Sequence, residues 1–254
     1  MSNPSHSERG LSRVRLLVWP TIIAGPGLAL LLGLGTWQLE RLEWKNALIA
    51  ERDLRMAAPV ASFDNDSQPL GPLNFRRVSV RGEFLHHQEF HLLSRTSKGR
   101  AGIHVVTPLI PRPEIAGHPT ILVNRGWVPN ALSDPGRRHE GQTSGIVVVE
   151  GIARTEVGRQ GWFAPENDPA GGVWHRLDVG QMSDVLGLPL PPFVIEAGPA
   201  LNLGGFPIGG QTQVQIRNDH LGYAIIWYTL AAALAVIYLL FVRQKFMRQP
   251  MGTP

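Results

Sequence analysis

Two long apolar runs stand near the two ends of the chain. Residues 16–39 are 24 consecutive positions without a formal charge, and residues 221–242 are 22 more. A bilayer core takes roughly 20 apolar residues in helix, so each run is long enough to span. Past the first run, residues 37–55 hold no Gly or Pro and are rich in Leu, Glu, Arg, Lys and Ala, which predicts that the helix continues out of the membrane. Trp37, Arg41, Trp44 and Leu48 fall at offsets 0, 4, 7 and 11 and share one face of that helix.

Beyond Pro59 the pattern changes to short runs rich in β-branched and aromatic residues, broken by Gly, Pro, Asn and Asp. That is the texture of strands joined by turns. It predicts strands at 77–84, 89–94, 103–109, 120–127, 146–153, 193–196 and 213–217, with one short helix at 179–186. The spacing suits a mainly antiparallel β sheet, closed or sandwiched, with helical additions. The expected organisation is therefore membrane α+β. A cytoplasmic tail (1–15), a transmembrane helix (16–39) and a helical extension (40–58) precede a β-rich extracytoplasmic domain (59–217), a second transmembrane helix (218–242) and a tail (243–254). Segments 129–142 and 197–210 read as loops, the first carrying Arg137, Arg138 and His139.

Charge changes the picture through its location. The pI near 9.9 would invite nucleic acid, yet the formal +4 is made of +2 before the first span and +3 after the second, leaving −1 between them. No nucleic-acid partner is expected for such a domain. Lys and Arg near span ends stay in the cytoplasm, which places both termini inside. A cleaved signal peptide competes for the first run, but Pro20 and Pro26 lie within it and no small-x-small site follows; a permanent anchor is the better reading. With no cysteine there are no disulfides, thiolate metal sites or thioether-linked haem.

Among chemistry-bearing residues, His220 stands out at the head of the second span. His220, Tyr223, Ala224 and Trp227 lie at offsets 0, 3, 4 and 7, a face that accepts a flat apolar ligand or packs equally well on the first span. A haem there needs an imidazole for its iron, apolar walls, and cations for its propionates. His220 can supply the first, Trp37, Tyr223 and Trp227 the second, and Arg41 with Lys45 the third. Plainer readings stand beside these. Trp37 and Trp44 serve as interface anchors in many membrane proteins, and Arg41 and Lys45 can be a solvated face paired with Glu40 and Glu43. His86, His87, His91 and His104 invite a metal, but strand alternation sends His86 away from His87 and His91, so solvated strand positions are the default. No nucleophile elbow, phosphate loop or zincin motif is present, and no catalytic residues are expected.

Four segments together resemble a known family. They are Leu34-Gly35-Thr36-Trp37-Gln38-Leu39-Glu40-Arg41-Leu42-Glu43-Trp44-Lys45, Phe75-Arg76-Arg77-Val78 followed by Gly82, Val123-Asn124-Arg125-Gly126-Trp127-Val128-Pro129, and Asn218-Asp219-His220-Leu221-Gly222-Tyr223-Ala224. In order and spacing they are similar to the Surfeit locus protein 1 (Shy1) family, assembly factors of cytochrome c oxidase. The resemblance implies a role in maturing oxidase subunit I at its haem a centre, with bacterial members binding or handing over haem a; together with the residue reading above it leads to the expectation of a transiently bound haem a with His220 as its iron ligand. It also implies oxidase subunit I and membrane lipid as partners, haem a synthase as a further candidate, and a bacterial inner membrane location. The family's Trp-Gln-x-x-Arg block falls on Trp37, Gln38 and Arg41, and its Asn-x-His-Leu-x-Tyr-Ala block on Asn218, His220, Leu221, Tyr223 and Ala224. Asp219, Gly222 and Ile226 depart from its commoner Asn, Gln and Thr. The alternative is a scaffold that steadies a subunit I intermediate without touching haem.

Overall fold

The structure, a computed structural model, describes residues 6–63, 72–115, 117–155, 165–212 and 217–247, with backbone alone for 6–16 and 246. The chain divides into two compact units, Met1–Ala50 with Gln215–Pro254, and Glu51–Val214.

The first unit holds two helices long and apolar enough to cross a membrane. Helix α1 runs His6–Ala57 without a break, so the expected span and its extension are one rod of about 78 Å at 1.5 Å per residue. Pro20 and Pro26 sit inside it. Helix α3 is His220–Met247. Within this unit the two run antiparallel, joined by side-chain pairs that climb one helix as they descend the other: Thr21 with Tyr238 at 2.5 Å, Thr36 with Tyr228 at 3.1 Å, Gln38 with His220 at 2.7 Å and Asn46 with Asn218 at 2.8 Å.

The second unit is built on strands β1 (Ala61–Ser62), β2 (Arg76–Phe84), β3 (Phe90–Ser97), β4 (Arg100–Pro111), β5 (Ile121–Pro129), β6 (Ile146–Arg154) and β7 (Val194–Ala197), with helix α2 (Val179–Leu186). Their order is β1-β2-β6-β7-β5-β4-β3. An added pairing of Gly82–Phe84 with Leu109–Pro111 joins β2 to β4 and closes five strands into a barrel. The sheet is mixed: β5 and β7 pair in parallel, as do β1 and β2, and the other pairings are antiparallel. Of the expected strand at 213–217, residues 213–216 lie outside the described residues.

Alternation divides the core. Val78, Val80, Leu109, Ile121, Val123, Val149, Ala153 and Ile195, drawn from all five barrel strands, form one buried cluster. The intervening Leu122, Val194 and Val106 join Phe90, Leu92, Trp174 and Met182 in a second cluster, over which α2 lies. Helix α2 is fixed by its ends: Asp178 accepts from the Gln181 amide at 3.1 Å, and Gly187 closes the helix at φ +66. This second unit includes the last turns of α1, residues 51–57, where Arg52 is buried over the Phe75 ring.

The two predicted loops carry short 3-10 turns at Asn130–Leu132, Pro135–Gly141 and Leu203–Gly205. The first loop is held by a buried ion pair. The Arg138 and Glu89 side chains are 2% and 5% exposed, and Arg138 donates to both carboxylate oxygens of Glu89. Burial pushes the Glu89 carboxyl up, but hydrogen bonds from His91 and Arg138 and their charges outweigh it, so it lies below the usual carboxylate value. A depressed folded-state value means that this stabilisation is complete above about pH 4.3 and is lost as pH falls through the folded value. Glu89→Gln should therefore cost about 3–5 kcal/mol at neutral pH, because it strands a buried cation. The gap between variant and parent, read by denaturant melts of the full chain, should narrow below pH 4.

Candidate functional site

The chemistry gathers where α1 and α3 meet at His220. Small residues allow the approach: Ala224 and Ala231 are 1% and 2% exposed, and Gly35 is buried beneath the Tyr228 ring. A Cβ on Gly35 would come within 2.9 Å of that ring, so a larger residue here would have to push the ring aside. One turn on, the Gln38 side-chain oxygen lies 2.7 Å from His220 Nδ1. An amide oxygen only accepts, so Nδ1 donates, and Nε2 has no hydrogen bond among the described residues.

The other predicted residues are arranged less tightly. His220 and Trp227 are half-buried and Ala224 is sealed in the seam, whereas Tyr223 is 54% exposed and turns away from it. The face predicted to be shared thus splits, because α1 covers its small residue and not its full width. Trp37 is 50% exposed. The Arg41 guanidinium lies over the Trp44 ring, 4.5 Å from its centroid, and among the described residues no ion pair joins Arg41 or Lys45 to Glu40 or Glu43. No hydrogen bond or ring contact connects His220 to Trp37, Arg41, Lys45, Tyr223 or Trp227 among those residues. The structure brings His220 to Gln38 instead, a residue that the family block includes but that is not among those expected to bind haem. The available signal was a lone amide inside a charge-free run, since a polar side chain at membrane depth seeks a partner.

Residues 27–232 match the SURF1 family. The chain belongs to that family. It is 39% identical over 242 residues to Surfeit locus protein 1 of Homo sapiens, covering 87% of this chain and 75% of the human protein. Against the Xenopus tropicalis protein of the same name it is 36% identical over 231 residues, or 85% and 72% of the two chains. A SURF1-like protein of Caenorhabditis briggsae is 32% identical over 267 residues, or 93% and 80%. All three relatives are eukaryotic.

The SURF1 match takes in both halves of the His220–Gln38 pair and the whole barrel, and with it His86, His87, His91 and His104. Their local geometry corrects the expectation of solvated strand positions. His86–Gln88 is a 3-10 turn, where strand alternation does not apply. His86 uses both ring nitrogens: Nε2 lies 3.0 Å from the Thr143 carbonyl, to which it donates, and Nδ1 accepts from Arg125 at 3.3 Å. Burial pushes its pKa down, with the Arg125 charge adding to the effect against the Thr143 hydrogen bond. His104 is pushed down to about 4 by burial and by Arg95, and takes a hydrogen bond from Asn124. His91 Nε2 lies 2.7 Å from Glu89. Three of the four therefore hold the domain together, and among the described residues no group of three or more His or acidic side chains is placed to hold a metal ion.

The segment Asn124-Arg125-Gly126-Trp127 is architectural in detail. The register against β4 slips between Val105 and Val106, so Arg125 is the extra residue of a bulge. Its buried guanidinium, lowered to about 10 by burial, donates to the Gly141 carbonyl at 2.5 Å and lies over Phe84. Arg125 thereby ties the bulge to the loop that Arg138 anchors.

Proposed function

We propose that this chain is an assembly factor for cytochrome c oxidase that presents His220 to the iron of haem a while subunit I matures. Membership of the SURF1 family supports the assembly role. One observation carries the haem reading: His220 is held by Gln38 at Nδ1 while Nε2 is left without a partner. An axial ligand needs that free nitrogen. The exposed rings of Trp37 and Tyr223 and the half-buried Trp227 are flat surfaces on the same two helices, and Arg41 and Lys45 are cations one and two turns along from Trp37. Haem a would bring the redox-active iron; the chain's part is to hold it at the membrane surface and release it.

In this reading the two helices span a bacterial inner membrane, with the basic tails inside and the barrel domain outside. Reporters fused at either terminus should be active only in the cytoplasm, and one inserted near Gly136, exposed in its loop, only outside; a cytoplasmic signal from that loop would overturn the topology.

Purification from cells that make haem a, followed by a visible spectrum, tests the function. A haem a spectrum at up to one equivalent is expected, and its absence would leave the scaffold reading. Deleting the gene should lower mature oxidase while haem a itself still forms, since the sequence carries no recognisable catalytic motif. Loss of haem a would point to an enzyme.

A further inference from the structure

A free imidazole exists as two tautomers, and only one of them leaves Nε2 able to bind a metal. Resting on the haem reading above, we propose that Gln38 is a positioning residue that locks His220 in the Nδ1–H tautomer and aims its Nε2 lone pair away from the seam. Three observations support this. The contact is short, 2.7 Å, and it joins two different helices, so it fixes the ring against a frame and not merely against its own backbone. The frame is itself pinned on either side, by Thr36 with Tyr228 at 3.1 Å and Asn46 with Asn218 at 2.8 Å. Gly35, one turn before Gln38, lets the Tyr228 ring lie against α1, where a Cβ would stand 2.9 Å from the ring.

The chemical consequence is twofold. A ring whose tautomer and tilt are set beforehand loses little freedom when it meets the iron, and a hydrogen bond accepted from Nδ1–H makes Nε2 a stronger donor. A neutral amide acceptor does this mildly, where a carboxylate would do it strongly. Such tuning suits a ligand that must hold a haem and then give it up.

The first test needs no haem. Full-length protein carrying ring-labelled histidine in lipid nanodiscs should show, by nitrogen NMR at a pH where the ring is neutral, a His220 signal in the Nδ1–H form, identified by its loss in His220→Gln. In Gln38→Leu that signal should move toward the Nε2–H form that predominates in free imidazole, and in Gln38→Glu, which keeps an acceptor oxygen, it should stay. A wild-type ring in the Nε2–H form, or one indifferent to Gln38→Leu, would overturn the proposal whatever haem does.

The second test titrates the same proteins with ferric protoporphyrin IX. Gln38→Leu should weaken binding about tenfold or more, the usual scale for losing a partner of a metal-bound histidine, and Gln38→Glu should restore binding and lower the reduction potential of the bound haem. Unchanged affinity and potential in both variants, with binding still lost in His220→Ala, would remove the positioning role and leave the haem reading intact. Binding that survives His220→Ala would remove both.

Discussion

In His220→Ala protein, haem carried per chain is expected to fall more than about 100-fold, because the variant loses the proposed ligand itself and not only the partner proposed to orient it. Membrane insertion should be unaffected, since alanine makes the head of α3 more apolar and residues 221–242 that follow carry no formal charge. Gln38 then faces a small void, and its amide can turn to interfacial water. The spectrum of purified protein and its yield in the membrane fraction check the two halves separately. An unchanged Soret band would mean that another side chain holds the iron, or that the chain holds no haem. A lost band with a halved yield would assign His220 to helix pairing and not to ligation.

Gly126→Ala should be the most damaging single substitution in the barrel. At φ +114 this backbone is one that side chains rarely adopt, and a Cβ would stand 1.9 Å from the Ile208 carbonyl oxygen. That oxygen accepts from the Trp127 amide at 2.9 Å, and Ile208 donates back to Trp127 at 2.8 Å. The new methyl therefore pushes apart a backbone pairing beside a tryptophan that is fully buried. The expected loss is more than about 4 kcal/mol, a large share of the 5–15 kcal/mol typical of a domain. Gly145→Ala is the control: φ is +76, but nothing lies within 4 Å of the new atom. Only backbone strain of about 1–2 kcal/mol is expected there. Thermal melts of both variants in detergent distinguish the two. Equal losses would show that conformation, and not the approach of the 206–209 segment, makes glycine necessary at 126.

Elements with local causes were readable in advance. Helix α2 occupies its predicted 179–186 because Asp178 and Gly187, both visible in the chain, are its cap and its stop. Most strand centres were also found, since alternation reports which residues face a core. The reading broke down at the β3–β4 hairpin, predicted to end at 94 and resume at 103. In the structure β3 runs to Ser97 and β4 starts at Arg100, across a turn in which Lys98 and Gly99 have φ of +49 and +76. The polar stretch Arg95-Thr96-Ser97 looks like a loop by composition, but it is held in place by backbone pairing with β4. His86 failed in the opposite sense: a strand was assumed where the chain makes a 3-10 turn, and its partners, Arg125 and Thr143, lie 39 and 57 residues away.

What the sequence determined by itself is whatever depends on neighbours along the chain: two runs long enough for a bilayer, basic residues beyond both, alternating strands between, and a histidine at the head of the second run. Only the tertiary structure decided how distant pieces meet. Closure of the barrel between Gly82–Phe84 and Leu109–Pro111, the parallel seating of β7 on β5, the burial of Glu89 with Arg138, and the choice of Gln38 as the partner of His220 all join residues 25 to 182 positions apart. Periodicity records which side of an element is apolar, but not which other element will cover it. For His220 that difference decides the chemistry, because a side chain 182 residues away determines which of its two nitrogens is free.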